Sequence, residues 1–338
     1  MHVIFLSKLR LFGFSMTLKI LDVNKSYEGI QVLDNISIEI RRGEVFGLFG
    51  VINAGKSVLI RILAGIENLE SGKILFDEED ITECASKDRD FHFPDLSNES
   101  FWKTIFKTAK ASELGDGEGQ ILAMQDALSK NNSVLLLDNS FCFMDKNTRR
   151  KNYFEIRNFV RKNNSMVVFA TNDFEEVFRF CDRVAVIYNG KIVQVGTPRE
   201  VYEFPKYRSV AEIVGENNLI SAKRLTANNA DHPEFCTLDG EHRITTAKFD
   251  KNQLGAINQE VTLAIRPENI SINFGASFPE DNLIKAKVMN VQFMGKTTTV
   301  ILDAGSLILK ATVLRLVGLK VGEECMVGLP PDKISIFA

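Results

Sequence analysis

Val45-Phe-Gly-Leu-Phe49 runs directly into Gly50-Val-Ile-Asn-Ala-Gly55-Lys56-Ser57, and this stretch decides the fold. The first five residues form an uninterrupted run of strand length with no charge in it. The next eight match Gly-x4-Gly-Lys-[Ser/Thr], the spacing of a phosphate-binding loop. Glycines let the backbone wind until successive N–H groups face an anion, and a helix N-terminus behind the loop adds its dipole. Lys56 then reaches the β and γ phosphates, while the Ser57 hydroxyl suits Mg2+. Val58, Leu59, Ile60, Ile62 and Leu63 continue at helical spacing, and Gly65 ends the run. Gly50, Val51, Ile52, Asn53, Ala54, Gly55, Lys56, Ser57 and Val58 are therefore the candidate nucleotide-binding residues. The competing reading, a glycine-rich turn without a ligand, is weakened by the strand before the loop and the helix after it.

Further along, Val134-Leu-Leu-Leu137 and Met166-Val-Val-Phe-Ala170 are apolar runs of the same kind. Short apolar runs separated by helical spacers are expected as strands buried on both faces of a parallel sheet. Arg149 to Arg161 supplies one spacer, with Tyr153, Ile156, Phe159 and Val160 at helical intervals, and Asp173 to Phe180 another. Asp138 closes the Val134 run, where a carboxylate can orient a Mg2+ shell beside a phosphate-binding loop. Alone, an Asp after a strand is a turn residue; the loop at Gly50 is what makes it a metal candidate together with Ser57. Ile36-Ser-Ile-Glu-Ile40 alternates like a half-buried strand. Asn189-Gly190, between Val184–Tyr188 and Lys191–Val195, predicts a β-hairpin with a primed turn.

Beyond Pro205 helical spacing gives way to short strand-like runs, Val261–Ile265, Ile284–Val291, Thr298–Leu302 and Leu307–Val313, divided by Asn, Asp and Gly. A small all-β module is expected there. The chain has 338 residues, 45% apolar and 25% charged, and 41 Lys and Arg against 44 Asp and Glu leave a net charge of −3. That composition excludes disorder and gives no broad basic surface for nucleic acid. Five cysteines without a Cys-x-x-Cys pair argue against a zinc site or a disulfide framework and suit a reducing cytosol. No apolar stretch is long enough to span a bilayer. Residues 1–15 are expected as an extension outside the fold, with a short membrane-surface anchor as the sharper alternative.

These residues, in this order, resemble the ATP-binding subunits of ABC transporters, in particular the polyamine, iron(III) and sugar importers with a C-terminal β-barrel regulatory domain. Tyr27, in Lys25-Ser-Tyr27, matches the family's adenine-stacking aromatic. Leu63 to Leu75, Asp182-Arg-Val-Ala-Val, Asn189-Gly-Lys and Gly196-Thr-Pro198 are similar to the family's nucleotide-binding domain. Ile265-Arg-Pro-Glu268 resembles a signature of its C-terminal domain. The resemblance implies an α/β P-loop domain of the ABC ATPase type over residues 16–214 and a small all-β OB-like barrel over 215–338. It also implies Mg-ATP as ligand, permease subunits and a solute-binding protein as partners, a homo- or heterodimer of ATP-binding subunits, and a cytoplasmic place on the inner membrane face.

Four positions depart from the family's pattern. Asn139 stands where a catalytic Glu follows Asp138, and a neutral amide cannot take a proton from water; positioned general-base help is worth about 10²–10⁴-fold. Asn172, in Ala170-Thr-Asn-Asp173, stands at the switch histidine, and no His lies between His92 and His232. The family's Gln loop falls near Arg89–Pro94, yet no Gln lies between Gln31 and Gln120. The signature Leu-Ser-Gly-Gly-Gln aligns with Leu114-Gly115-Asp116-Gly117-Glu118, which puts carboxylates beside the γ-phosphate of the other subunit. Each such pair at about 4 Å costs about 4 kcal/mol at an effective dielectric near 20. The alternative is that Gly115–Gly119 is a polar turn. The segment between Arg89 and Leu114, which in the family docks on the permease, is shortened. ATP binding with slow or absent turnover is the expectation, and a non-catalytic nucleotide-dependent regulatory protein is the alternative.

Overall fold

In the computed structural model, Val45–Phe49 (β3) is a strand with all five residues buried. It lies between β8 (Met166–Thr171) and β9 (Arg183–Tyr188), parallel to both. The structure describes residues 17–94, 116–225, 232–247, 254, 256–273, 282–314 and 318–338. The expected extension 1–15, Leu114 and Gly115 lie outside them. β7 (Val134–Asp138) and β6 (Phe91–His92) complete the parallel part, and β10 (Lys191–Gly196) closes the far edge as the antiparallel partner of β9, giving the order β10-β9-β3-β8-β7-β6. Val134–Leu137 and Met166–Thr171 are buried throughout, because helices cover the sheet on both faces. Asn189 at φ 48° and Gly190 at φ 75° supply the two left-handed residues of a primed turn.

A second sheet, ordered β2-β1-β4-β5, is built from β1 (Thr17–Tyr27), β2 (Ile30–Arg41), β4 (Ser71–Phe76) and β5 (Glu79–Asp80). Its inward residues, among them Leu18, Ile20, Leu33 and Ile38, share one core with Leu59, Ile60 and Leu63 of α1 (Lys56–Leu63) and with Phe46 and Leu48. The P-loop helix is thus clamped between two sheets. The remaining helices among the described residues of the first 203 are α2 (Asp116–Ser129), α3 (Lys146–Asn163), α4 (Phe174–Phe180) and α5 (Pro198–Glu203). Asp145 caps α3 by accepting from the Asn147 and Thr148 amides at 2.8 and 3.2 Å.

The chain divides into two compact units, residues 1–203 and 204–338, a boundary earlier than the expected 214. The reason is helix α6 (Arg208–Ile213): its Ala211 is buried with Ala264 and Phe337, and the Ala211 carbonyl accepts from Asn217 and Arg266. Among its described residues the second unit is all β apart from α6 and short helical turns. One five-stranded antiparallel sheet has β13 (Arg243–Thr245), β12 (Glu234–Thr237), β11 (Asn218–Arg224), β14 (Glu260–Ile265) and β20 (Ser335–Phe337) in that order. The other runs β15 (Ser271–Asn273), β19 (Glu324–Leu329), β16 (Asn282–Phe293), β17 (Thr298–Ala304) and β18 (Leu307–Val313). Both sheets contribute to one apolar core. Buried Asn218 and Asn282 stitch the sheets together, bonding the Lys310 and Thr245 main chains.

Candidate nucleotide site

Because β3, β8 and β7 are parallel neighbours, Gly50, Asn172 and Asn139 leave the sheet at the same edge; Phe49 pairs with Thr171 and Asp138 with Ala170. Chain segments far apart in sequence are thereby brought to one edge of the sheet, the strand ends at which ligands of open α/β sheets bind. The loop itself is shaped by backbone approach. A Cβ on Gly50 would stand 2.3 Å from the Ile187 carbonyl oxygen. Gly55 has φ 99°, and a Cβ there would meet Val32 O and Leu33 at 2.7 Å. Neither position accepts a side chain, so strand β2 and strand β9 hold the loop in place.

Lys56 is 4% exposed and its ammonium donates to Gly50 O at 2.9 Å and Val51 O at 2.8 Å. Burial pulls its pKa below the ordinary lysine value, and the negative charge of Asp138 works against that shift. A buried cation held by two loop carbonyls and facing Asp138 fits a Mg-triphosphate, which supplies the charge the site lacks. Val51, Ile52, Asn53 and Ser57 are exposed over this buried lysine, while Ala54 and Gly55 are buried and Val58 is half-buried. Tyr27 is 43% exposed, with its hydroxyl on Glu67 and the Lys25 ammonium 5.2 Å over its ring. It closes the same hairpin whose Val32 and Leu33 touch Gly55. Burial, and then the Glu67 hydrogen bond, push its pKa up to about 12, so the ring stays neutral.

Asn139 adopts φ 44°, and its N–H donates to Ala170 O at 2.9 Å. Its side-chain amide donates to Asp138 Oδ1 at 3.2 Å. Asn172 is exposed beside buried Thr171. Of the signature positions, Asp116, Gly117 and Glu118 form the first turn of α2, so the alternative of a polar turn over Gly115–Gly119 is not what residues 116–119 adopt. This helix start packs on the loop after Asn139. A Cβ on Gly117 would lie 2.8 Å from Phe143 O, and buried Gln120 accepts from the Phe143 N–H at 3.1 Å.

Two supporting residues were not visible in the sequence. Arg89 is 8% exposed and donates to four carbonyls, Ile62 and Leu63 at the end of α1 together with Thr82 and Cys84. Glu176 is buried and accepts from Thr171 Oγ1 at 2.6 Å, Tyr153 Oη at 3.2 Å and Arg149 at 3.3 Å. Arg149 in turn donates to Met144 O and Cys142 O, so Glu176 ties the Asn172 turn to the loop after Asn139. His92 is largely buried, and Asp126 Oδ2 lies 3.8 Å from its Nε2, beyond hydrogen-bond reach.

A Gly-rich loop between a buried strand and a helix, with a carboxylate at the next strand end but one, defines a P-loop nucleotide-binding protein. Residues 33–94 match the ABC transporter family model and residues 263–337 the TOBE domain model. The spermidine/putrescine import ATP-binding protein PotA of Fusobacterium nucleatum is 30% identical over 290 residues, 76% of each chain. PotA of Clostridioides difficile is 29% identical over 308 residues, covering 81% of this chain and 84% of that protein. The putrescine transport ATP-binding protein PotG of Escherichia coli is 28% identical over 312 residues, 82% of each. A nucleotide-free ATP-binding cassette from an ABC transporter superposes with a TM-score of 0.51 at 18% identity, over 60% of this chain and all of that one. The chain belongs to the ABC transporter ATP-binding family, among the importer subunits that end in a TOBE domain. Among the described residues no helix is long and apolar enough to cross a membrane.

Proposed function

We propose that this importer subunit binds Mg-ATP at Gly50–Ser57 and hydrolyses it slowly or not at all. The reading rests on one observation, the Asn139 amide turned onto Asp138. Lys56 and the loop amides hold the triphosphate, Ser57 and Asp138 hold the Mg2+, and Tyr27 offers its ring to the adenine. Bound Mg2+ would neutralise phosphate charge and orient the terminal group. These interactions are all made in the ground state. Acceleration needs interactions that form only in the transition state, and neither Asn139 nor Asn172 can accept a proton from water.

In this reading the chain works at the cytoplasmic membrane face with permease subunits and a solute-binding protein, paired with an identical or an intact ATP-binding subunit. The solute is set by those partners. The names of the relatives make a polyamine the first to test. A second reading, a nucleotide-dependent regulator without a permease, is favoured by the shortened segment between Arg89 and Leu114. Calorimetry with Mg-ATP and single-turnover hydrolysis test the proposal together. Saturable heat without hydrolysis is expected; transporter-rate hydrolysis refutes the catalytic half, and no heat at millimolar ATP refutes the whole.

A further inference from the structure

Helix α3 carries a charge that its place in the fold does not explain. Seven of its eighteen residues are Lys or Arg and only Glu155 is acidic, in a chain whose net charge is −3. Two of the cations are used internally. Arg149 binds Glu176, and Arg157 binds Asp182 at 2.7 Å and Phe180 O. Lys151 reaches Glu155 only at 3.8 Å and its side chain is 74% exposed. Lys146, Arg150, Arg161 and Lys162 are exposed and have no ion-pair partner among the described residues. On neighbouring α4, the exposed Glu175 and Arg179 pair with each other.

The arrangement around the helix is ordered. Asn152, Tyr153, Ile156, Phe159 and Val160 form the buried arc. At about 100° per residue, Phe154 falls roughly opposite the middle of that arc; it is 67% exposed. Lys146, Arg150 and Arg161 flank it on one side, Lys151 and Lys162 on the other. Arg161 and Lys162 suit the negative end of the helix dipole. Lys146 stands at the positive end, in a first turn without any carboxylate, where the dipole disfavours it. Helix stability therefore accounts for the last turn and not for the first.

We infer that the outward face of α3 is a contact surface for an anionic lipid bilayer. Phe154 enters the headgroup boundary, and Lys146, Arg150, Lys151, Arg161 and Lys162 lie against lipid phosphates. A single apolar pole flanked by cations along one exposed helix face suits the surface of an anionic bilayer. Nucleic acid would ask for a broader basic surface than one helix in a net acidic chain. The contact is independent of nucleotide binding and of any permease.

The test is co-sedimentation of the full chain with vesicles of phosphatidylcholine, with and without phosphatidylglycerol. Binding at least about tenfold stronger to the anionic vesicles is expected, largely lost at about 1 M salt, where screening acts within about 3 Å. Arg150→Glu with Lys151→Glu should weaken it by about tenfold or more, and Phe154→Ser severalfold, each with unchanged far-ultraviolet circular dichroism. Equal binding to neutral vesicles overturns the inference. So does full binding by the charge-reversed chain, which would place the contact elsewhere, residues 1–15 included. Displacement of the vesicles by single-stranded RNA, with Phe154→Ser binding as the wild type does, also overturns it and favours nucleic acid. Vesicle binding that persists when Mg-ATP binding fails leaves this inference standing and removes only the nucleotide reading.

Discussion

The side-chain amide of Asn139 donates to Asp138 Oδ1 at 3.2 Å, so the residue at the position of the family's general base faces the carboxylate of its own neighbour. The left-handed backbone of Asn139 and its bond to Ala170 O fix that direction. An amide can donate here, and a carboxylate cannot. A Glu at 139 would lose this contact and turn its carboxylate away from Asp138.

Restoring the two family residues, Asn139→Glu with Asn172→His, is therefore expected to leave turnover within about tenfold of the wild type, well below the 10²–10⁴-fold that positioned general-base help gives. Asp116 and Glu118 at the start of α2 are untouched by that repair. Single-turnover hydrolysis by the double variant decides the matter. Rates normal for a transporter would show that the Asp138 contact and the altered signature segment do not limit the chemistry.

Lys56→Ala removes the donor to Gly50 O and Val51 O as well as the cation for the phosphates. Hydrogen bonds to charged groups are worth about 1.5–3 kcal/mol each, so Mg-ATP affinity should fall by about a hundredfold or more. Calorimetry reads the loss, and circular dichroism at 25 °C should show the fold retained. Wild-type heat from the variant would remove Lys56 from the ligand site.

Arg89→Ala leaves four carbonyls without their donor, two of them at the end of the P-loop helix. Buried unsatisfied polar groups cost about 1–3 kcal/mol each, and partial hydration should limit the total to about 3–5 kcal/mol. For a unit of this size that is a fall of roughly 10 °C in thermal midpoint. Lysine cannot span four acceptors, so Arg89→Lys should recover less than half. A shift of one or two degrees in either variant would show that water replaces the guanidinium at little cost.

The strands of the first unit were legible because burial on both faces leaves no choice of composition. Val45–Phe49, Val134–Leu137 and Met166–Ala170 contain no charge, and all are buried. The hairpin at Asn189-Gly190 was legible because two consecutive positive φ angles demand those residue types. Strand β1 was not: Thr17–Tyr27 is interrupted by register shifts around Val23 and Lys25, which break its alternation. Arg89 was hidden in Ser86-Lys-Asp-Arg-Asp90, a tract that reads as a solvated turn, because its four partners are main-chain atoms without a sequence signal. The place of Asp138 beside the loop was legible because it closes the apolar run Val134–Leu137. The turning of Asn139 onto Asp138 depends on a backbone angle that no residue pattern specifies.

His92 offers a pH test of the β6 edge. Burial above all, then the positive charge of Lys130, hold its pKa down to about 4, against the weaker pull of Asp126. An unfolded histidine titrates near 6.5, so between those values the unfolded chain takes up a proton that the folded chain refuses. Stability is then complete above about pH 6.5 and declines as the pH drops toward about 4, by up to about 3 kcal/mol. Urea unfolding at pH 7, 5.5 and 4.5 should show that decline, and His92→Leu should remove most of it while leaving the slopes of other groups in place. Glu176, whose pKa burial raises, contributes in the opposite direction and is present in both proteins, so the difference between the two curves isolates His92. Superimposable curves would mean that the imidazole takes up its proton as readily in the folded chain as in the unfolded one.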